Sequence, residues 1–185
     1  MVEEAKKSMS GRLENSLKMD KYQKILAEYA KSPRKLDENF RKLFSSSYGI
    51  STARKTEEWK NNFFEVFESC TSKSTFEEIL KSLSEKSHIQ NCEASFASKI
   101  LATINPEKPI LDSKILKYLG LQTGGNNKKE RLENALKAYN QIEKWYEEYL
   151  KSEEAKSCIQ YFDELFPKYK NISSVKKIDF FIWGK

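Results

Sequence analysis

The sequence predicts an all-α, compact multi-helix domain, and three features carry that prediction. Gly and Pro are scarce, six and four in 185 residues, between long runs rich in Lys, Glu, Leu and Ala. Apolar residues recur at helical spacing and do not alternate. Aromatic residues make up 12% of a chain that is 38% apolar, so a few large rings can fill much of a core. A chain of 185 residues is long enough to bury one core. No repeat or low-complexity tract divides it, so residues 1–12 read as a flexible polar N-terminus and 13–185 as a single helical domain.

The first helix is expected from about Leu13 to Ala30, with Leu13, Leu17, Ile25, Leu26 and Tyr29 as its stripe. Ser32-Pro33 resets the chain, and Pro33 suits the first turn of a second helix bearing Leu36, Phe40, Leu43 and Phe44. Thr56 can cap a third helix ending near Ser69, with Trp59, Phe63, Phe64, Val66 and Phe67 as its apolar content. Ser74 and Glu77 have the spacing of a capping box for a fourth, whose core side is Phe76, Ile79, Leu80 and Leu83. Ser84 to Asn91 reads as a loop, and Gln122 to Asn127, with Gly124-Gly125, as the clearest flexible connection. A long helix then runs to about Leu150, and another from Glu153 to Phe166 is closed by Pro167. The apolar tail Val175 to Trp183 is expected to dock, as a short helix or an extended strip.

Composition narrows the function classes. The formal charge of +6 permits association with a polyanion without requiring it. Cys70, Cys92 and Cys158 lack metal-ligand spacing and His88 is the single histidine, which argues against a zinc site or a cofactor held by such ligands. No window approaches the length of a membrane span, and the N-terminus lacks a signal-peptide core, so we expect a cytoplasmic protein with free thiols.

The segment Ala94 to Leu121 carries most of the functional information. Ala97, Ile100, Leu101 and Ile104 give a core-facing helix that Asn105-Pro106 should end. Pro109 stiffens the next turn, and Asp112 opens a second helix that Gly120 is suited to stop. An Asp in this place is ordinarily an N-cap, worth about 1 kcal/mol.

The succession Pro109-Ile110-Leu111-Asp112-Ser113, a helix, then Leu119-Gly120-Leu121 resembles the core of helix-hairpin-helix DNA glycosylases. The match covers about 30 residues directly. The pattern SFASKIL, INP and DS, the upstream aromatic helix and the Lys-Lys-Ile-Asp-Phe ending also resemble a group of small bacterial proteins, which we take as a divergent branch of that architecture. Two departures stand out. Ser87 to Ala94 offers no Gly for the phosphate-gripping hairpin, and Glu93 to Ser95 holds no lysine where strand-cleaving members carry one.

The resemblance implies a monomeric, monofunctional glycosylase acting without metal on double-stranded DNA that bears a damaged or modified base, in repair or antiviral defence. Asp112 would stabilise the oxocarbenium-like sugar and orient water, a role compatible with capping. Lys99 and Asn105 are secondary catalytic candidates. Tyr48, Arg54, Lys55, Ser113, Lys114, Lys117 and Lys128 are candidate DNA contacts, through phosphate binding or stacking. Solvated charge is the ordinary role of such lysines. The alternative reading is a non-catalytic helical DNA-binding or adaptor module on the same scaffold, and a third is a helical protein-interaction domain unrelated to nucleic acid.

Overall fold

The structure, a computed structural model, describes residues 12–53, 55–86, 89 and 91–183. Most of the N-terminal stretch expected to be flexible lies outside the described residues, as do Arg54 and His88. Nine α-helices and one 3-10 turn, with no strand, make up the regular structure among the described residues. They are α1 (Arg12–Lys31), α2 (Glu38–Ser47), α3 (Glu57–Ser69), α4 (Phe76–Glu85), α5 (Ala94–Ile104), α6 (Ser113–Leu119), α7 (Lys128–Tyr149), α8 (Glu153–Leu165), the turn Pro167–Tyr169, and α9 (Ser174–Trp183).

Local chemistry explains most boundaries. The side chains of Asp37, Thr56, Asn127 and Ser152 each accept a backbone N–H from the first turn of the helix that follows. The capping box of α4 is formed by Thr75 and Glu78, one residue beyond the expected Ser74 and Glu77. Ser74 instead accepts from Thr71 N in the preceding turn. Pro33 does not open α2: it lies in a turn, and α2 starts later because Asp37 supplies the cap. Gly120 ends α6 at φ 66°, a left-handed position suited to Gly, while Leu121 N donates to Leu116 O at 2.8 Å.

The Gly124-Gly125 connection is stitched down, contrary to its reading as flexible. Asn134 Nδ2 donates to Gly124 O at 2.6 Å, and Arg131 Nε to Gly125 O at 2.9 Å. Gly125 also sits so close to α7 that a Cβ there would meet Glu130 Cβ at 2.8 Å and Arg131 N at 2.9 Å. Close approach of backbone to helix is what this Gly permits.

Helices α1 to α5 close around an aromatic cluster. Phe44 contacts Phe63, Phe64 and Phe67 at centroid distances of 5.9, 6.2 and 5.2 Å, and Trp59 stacks on Phe63 at 5.2 Å. Arg41 ties α2 to α3 through Glu68, 2.9 Å away, and Glu68 also accepts from Leu36 N. The core is contiguous from there into α7, α8 and α9. Helix α9 is buried on every side, since Val175 through Ile182 are all buried, Lys176, Lys177 and Asp179 among them. That burial resolves the ambiguity of the tail: periodicity fails where no face is left to solvent.

Candidate functional site

The Asp112 turn is held from three directions. Ser98, fully buried on α5, accepts from Leu111 N at 2.9 Å and directs its own proton to Ser95 O at 3.0 Å. Tyr139 on α7 donates to Pro109 O at 3.1 Å. Ser173, just before α9, donates to Pro106 O at 2.7 Å. With Ile110 and Leu111 buried below it, the turn has little freedom, and Asp112 emerges at a fixed place.

Asp112 does cap α6: its Oδ1 accepts from both Lys114 N and Ile115 N at 2.9 Å. Its Oδ2 has no hydrogen-bond partner among the described residues. One carboxylate therefore has an oxygen committed to structure and another outside the cap. The residue lines a cavity of about 790 Å³ together with side chains from α1, α2, α5 and α9. That volume falls within the range of sites that enclose small molecules.

Aromatic rings and lysines dominate the cavity wall. Tyr22, Tyr48, Phe180 and Trp183 supply the rings, Lys18, Lys21, Lys99, Lys114 and Lys176 the cations, and Asp112 the single carboxylate, while the Lys114 ammonium donates to Trp183 O. Lys99 is only partly exposed: its Nζ donates to Tyr48 O at 3.3 Å and lies 4.9 Å from the Phe96 ring centroid. Burial pulls its ammonium down to about 8, the Asp112 carboxylate opposing that fall and the charge of Lys176 adding to it. Burial likewise pushes the Tyr48 and Tyr22 hydroxyls upward, so both stay neutral.

Lys176 is the feature of the site that its sequence conceals. Its Nζ stands 3.9 Å from the Trp183 ring centroid, 5.1 Å from Tyr22 and 5.7 Å from Phe180. Asp179 Oδ2 accepts from it at 3.2 Å, and Tyr146 donates to the other Asp179 oxygen. Burial lowers the Lys176 ammonium and raises the Asp179 carboxyl, and their mutual attraction opposes both shifts. Two more polar groups of the wall, Ser47 Oγ and Trp183 Nε1, are buried without a hydrogen-bond partner among the described residues.

The structure thus brings Asp112, Lys99, Tyr48, Ser113 and Lys114 around one cavity. The remaining candidates among the described residues lie elsewhere. Asn105 is in a groove with Lys108, Tyr139 and Glu143, where its Oδ1 accepts from Glu107 N at 3.1 Å. Lys55 is engaged by the buried Glu93 at 2.6 Å and lies over the Trp59 ring. Lys128 donates to the backbone carbonyls of Ser84 and Ile89. Lys117 is exposed on the last turn of α6, and Arg54 is outside the described residues. Conversely, Lys18, Lys21, Tyr22, Lys176, Phe180 and Trp183 join the cavity from helices at the two ends of the sequence, a juxtaposition no local motif announces.

Among the described residues no group of three or more His, Cys, Asp or Glu is placed to hold a metal ion, and no helix is long and apolar enough to cross a membrane. No protein-family model, curated protein or solved structure matches the chain.

Proposed function

We propose that the chain is a monofunctional DNA glycosylase on a scaffold of the helix-hairpin-helix glycosylase kind. It hydrolyses the N-glycosidic bond of a damaged or modified base in double-stranded DNA, in repair or in defence against foreign DNA. The observation that carries the reading is the cavity in which Asp112 presents an uncapped oxygen among aromatic rings and lysines.

In this reading the target nucleotide is rotated out of the duplex into the cavity. Lys21, exposed at the cavity, can meet a phosphate, as can Lys114 once its ammonium leaves the Trp183 carbonyl to which it donates, while Tyr48 and Trp183 offer ring surface to the base. As the glycosidic bond lengthens, positive charge builds on the sugar, and Asp112 stabilises it electrostatically. The same carboxylate orients a water molecule and accepts its proton as the oxygen bonds to the anomeric carbon.

The test is abasic-site formation on duplexes carrying single modified bases, with wild-type protein and Asp112→Asn. Asn caps a helix about as well as Asp, so the variant should keep its melting temperature within about 2 °C while activity falls about 100-fold or more. Activity within about threefold of wild type would remove Asp112 from the mechanism. DNA binding without abasic sites would favour the adaptor reading.

One observation favours a second reading. With its ammonium lowered to about 8, Lys99 is neutral in roughly a tenth of molecules at pH 7 and can act as a nucleophile. Its amine would then displace the base and form an imine with the opened sugar, one amine proton passing to the departing base and the other to the ring oxygen released as the sugar opens. Borohydride reduction traps such an imine as a covalent protein–DNA adduct, which hydrolysis by Asp112 and water does not produce.

A further inference from the structure

We propose that Lys176 is the leaving-group contact of this site, and that the substrate base is one that departs as an anion through a keto oxygen, not a cationic alkylated base. The inference rests on the glycosylase reading above and assigns its substrate class. Lys176 is 4% exposed yet lines the cavity, whereas Lys18, Lys21 and Lys114 are exposed. A sugar-phosphate backbone can meet that exposed edge from outside. A base entering the cavity is what can approach Lys176.

The ammonium is held in place by three rings and one carboxylate. Trp183, Tyr22 and Phe180 surround it within 5.7 Å, and Asp179 Oδ2 is its one hydrogen-bond acceptor among the described residues. An ammonium has three N–H donors. Two are therefore left to the ring faces and the cavity. Asp179 is itself fixed by the Tyr146 hydroxyl, so the cation is set before substrate arrives.

Charge development gives this placement a use. When the bond between the anomeric carbon and the base nitrogen breaks, its electron pair passes to the base and spreads onto any conjugated keto oxygen. A hydrogen bond from Lys176 Nζ to that oxygen stabilises the departing anion. Meanwhile Asp112 accepts a proton from the water whose oxygen bonds to the sugar, and that proton neutralises the released base. Nucleotide and water enter; abasic sugar and free base leave. A base already carrying an alkyl-derived positive charge departs as a neutral molecule, so the ammonium gives it no help and repels it on entry.

The test uses four duplexes, each with one uracil, hypoxanthine, 8-oxoguanine or 7-methylguanine, scored for abasic sites above the protein-free rate. Wild type should release at least one of the three uncharged keto bases about tenfold or more faster than the cationic 7-methylguanine. In Lys176→Met/Asp179→Asn, designed so that no carboxylate is left unpaired, kcat for that base should fall about 100-fold with KM within about threefold, and selectivity against 7-methylguanine should narrow. Lys176→Arg should recover part of the loss. Preference of wild type for 7-methylguanine overturns the proposal without any variant. So does a folded double variant with kcat within about threefold of wild type, and either result leaves the glycosylase reading standing. No release from any of the four overturns both.

Discussion

Asp112 and Lys99 illustrate how one side chain can carry two duties. The Asp112 oxygen in the cap fixes the other oxygen in space, so the local rule for starting a helix also aims the carboxylate. Lys99 bears the cost of its position in its protonation. Because its folded-state ammonium is lowered to about 8 from 10.5, the unfolded chain binds more protons between those values. The Lys99 contribution therefore destabilises fully below pH 8 and is relieved as pH rises toward 10.5. We expect Lys99→Met to be stabilised relative to wild type at pH 7 and the difference to shrink by pH 10, as read from paired urea melts. Taking the difference between variant and wild type removes the opposing contribution of Cys70, whose thiol burial pushes up to about 11. Asp112 as a cap was legible from sequence because capping is local. The engagement of Lys55 by Glu93 was not, since the partner lies 38 residues away.

At the level of elements, the turn between α5 and α6 and the helix α9 are where stability and site meet. Ser98→Ala leaves Leu111 N without its buried acceptor, and we expect about 1–3 kcal/mol of lost stability in chemical denaturation. A serine hydroxyl back-bonding within its own helix would give much less. Lys176→Met alone leaves Asp179 buried and unpaired, and should cost about 3–5 kcal/mol, more than the variant that also carries Asp179→Asn. Helices α3, α5 and α7 were legible because each keeps a polar face against which the apolar stripe stands out. Helix α9 was ambiguous for the opposite reason. Its lysines and aspartate are as enclosed as its phenylalanines, and adjacent charged residues in a sequence ordinarily signal solvent. Only the tertiary packing turns Lys176 inward.

For the whole molecule, the net charge of +6 is less informative than where the charge is placed. Among the described residues, Lys18, Lys21 and Lys114 are the exposed lysines that line the cavity. If Lys21 and Lys114 meet phosphates, DNA affinity should fall with salt at a log–log slope of about −2, and Lys21→Gln should reduce that slope by about 0.9. A slope near zero in fluorescence-anisotropy titrations would leave the interface without its electrostatic part. The all-helical class was readable from periodicity and scarce breakers. The assembly of the site was not, because its walls come from helices at opposite ends of the chain.

That last arrangement has a kinetic consequence. The cavity closes through pairs such as Lys176 over Tyr22, and beside it Lys168 with Asp20 and Tyr169 with Ser16, which stand 148 and 153 residues apart. Contacts of such sequence separation close the largest loops and tend to form late, after the aromatic cluster of α2, α3 and α5 has condensed. The pocket thus works as an internal signature of completed folding: a chain whose first or ninth helix has detached retains most of its helical content but has no binding chamber at all.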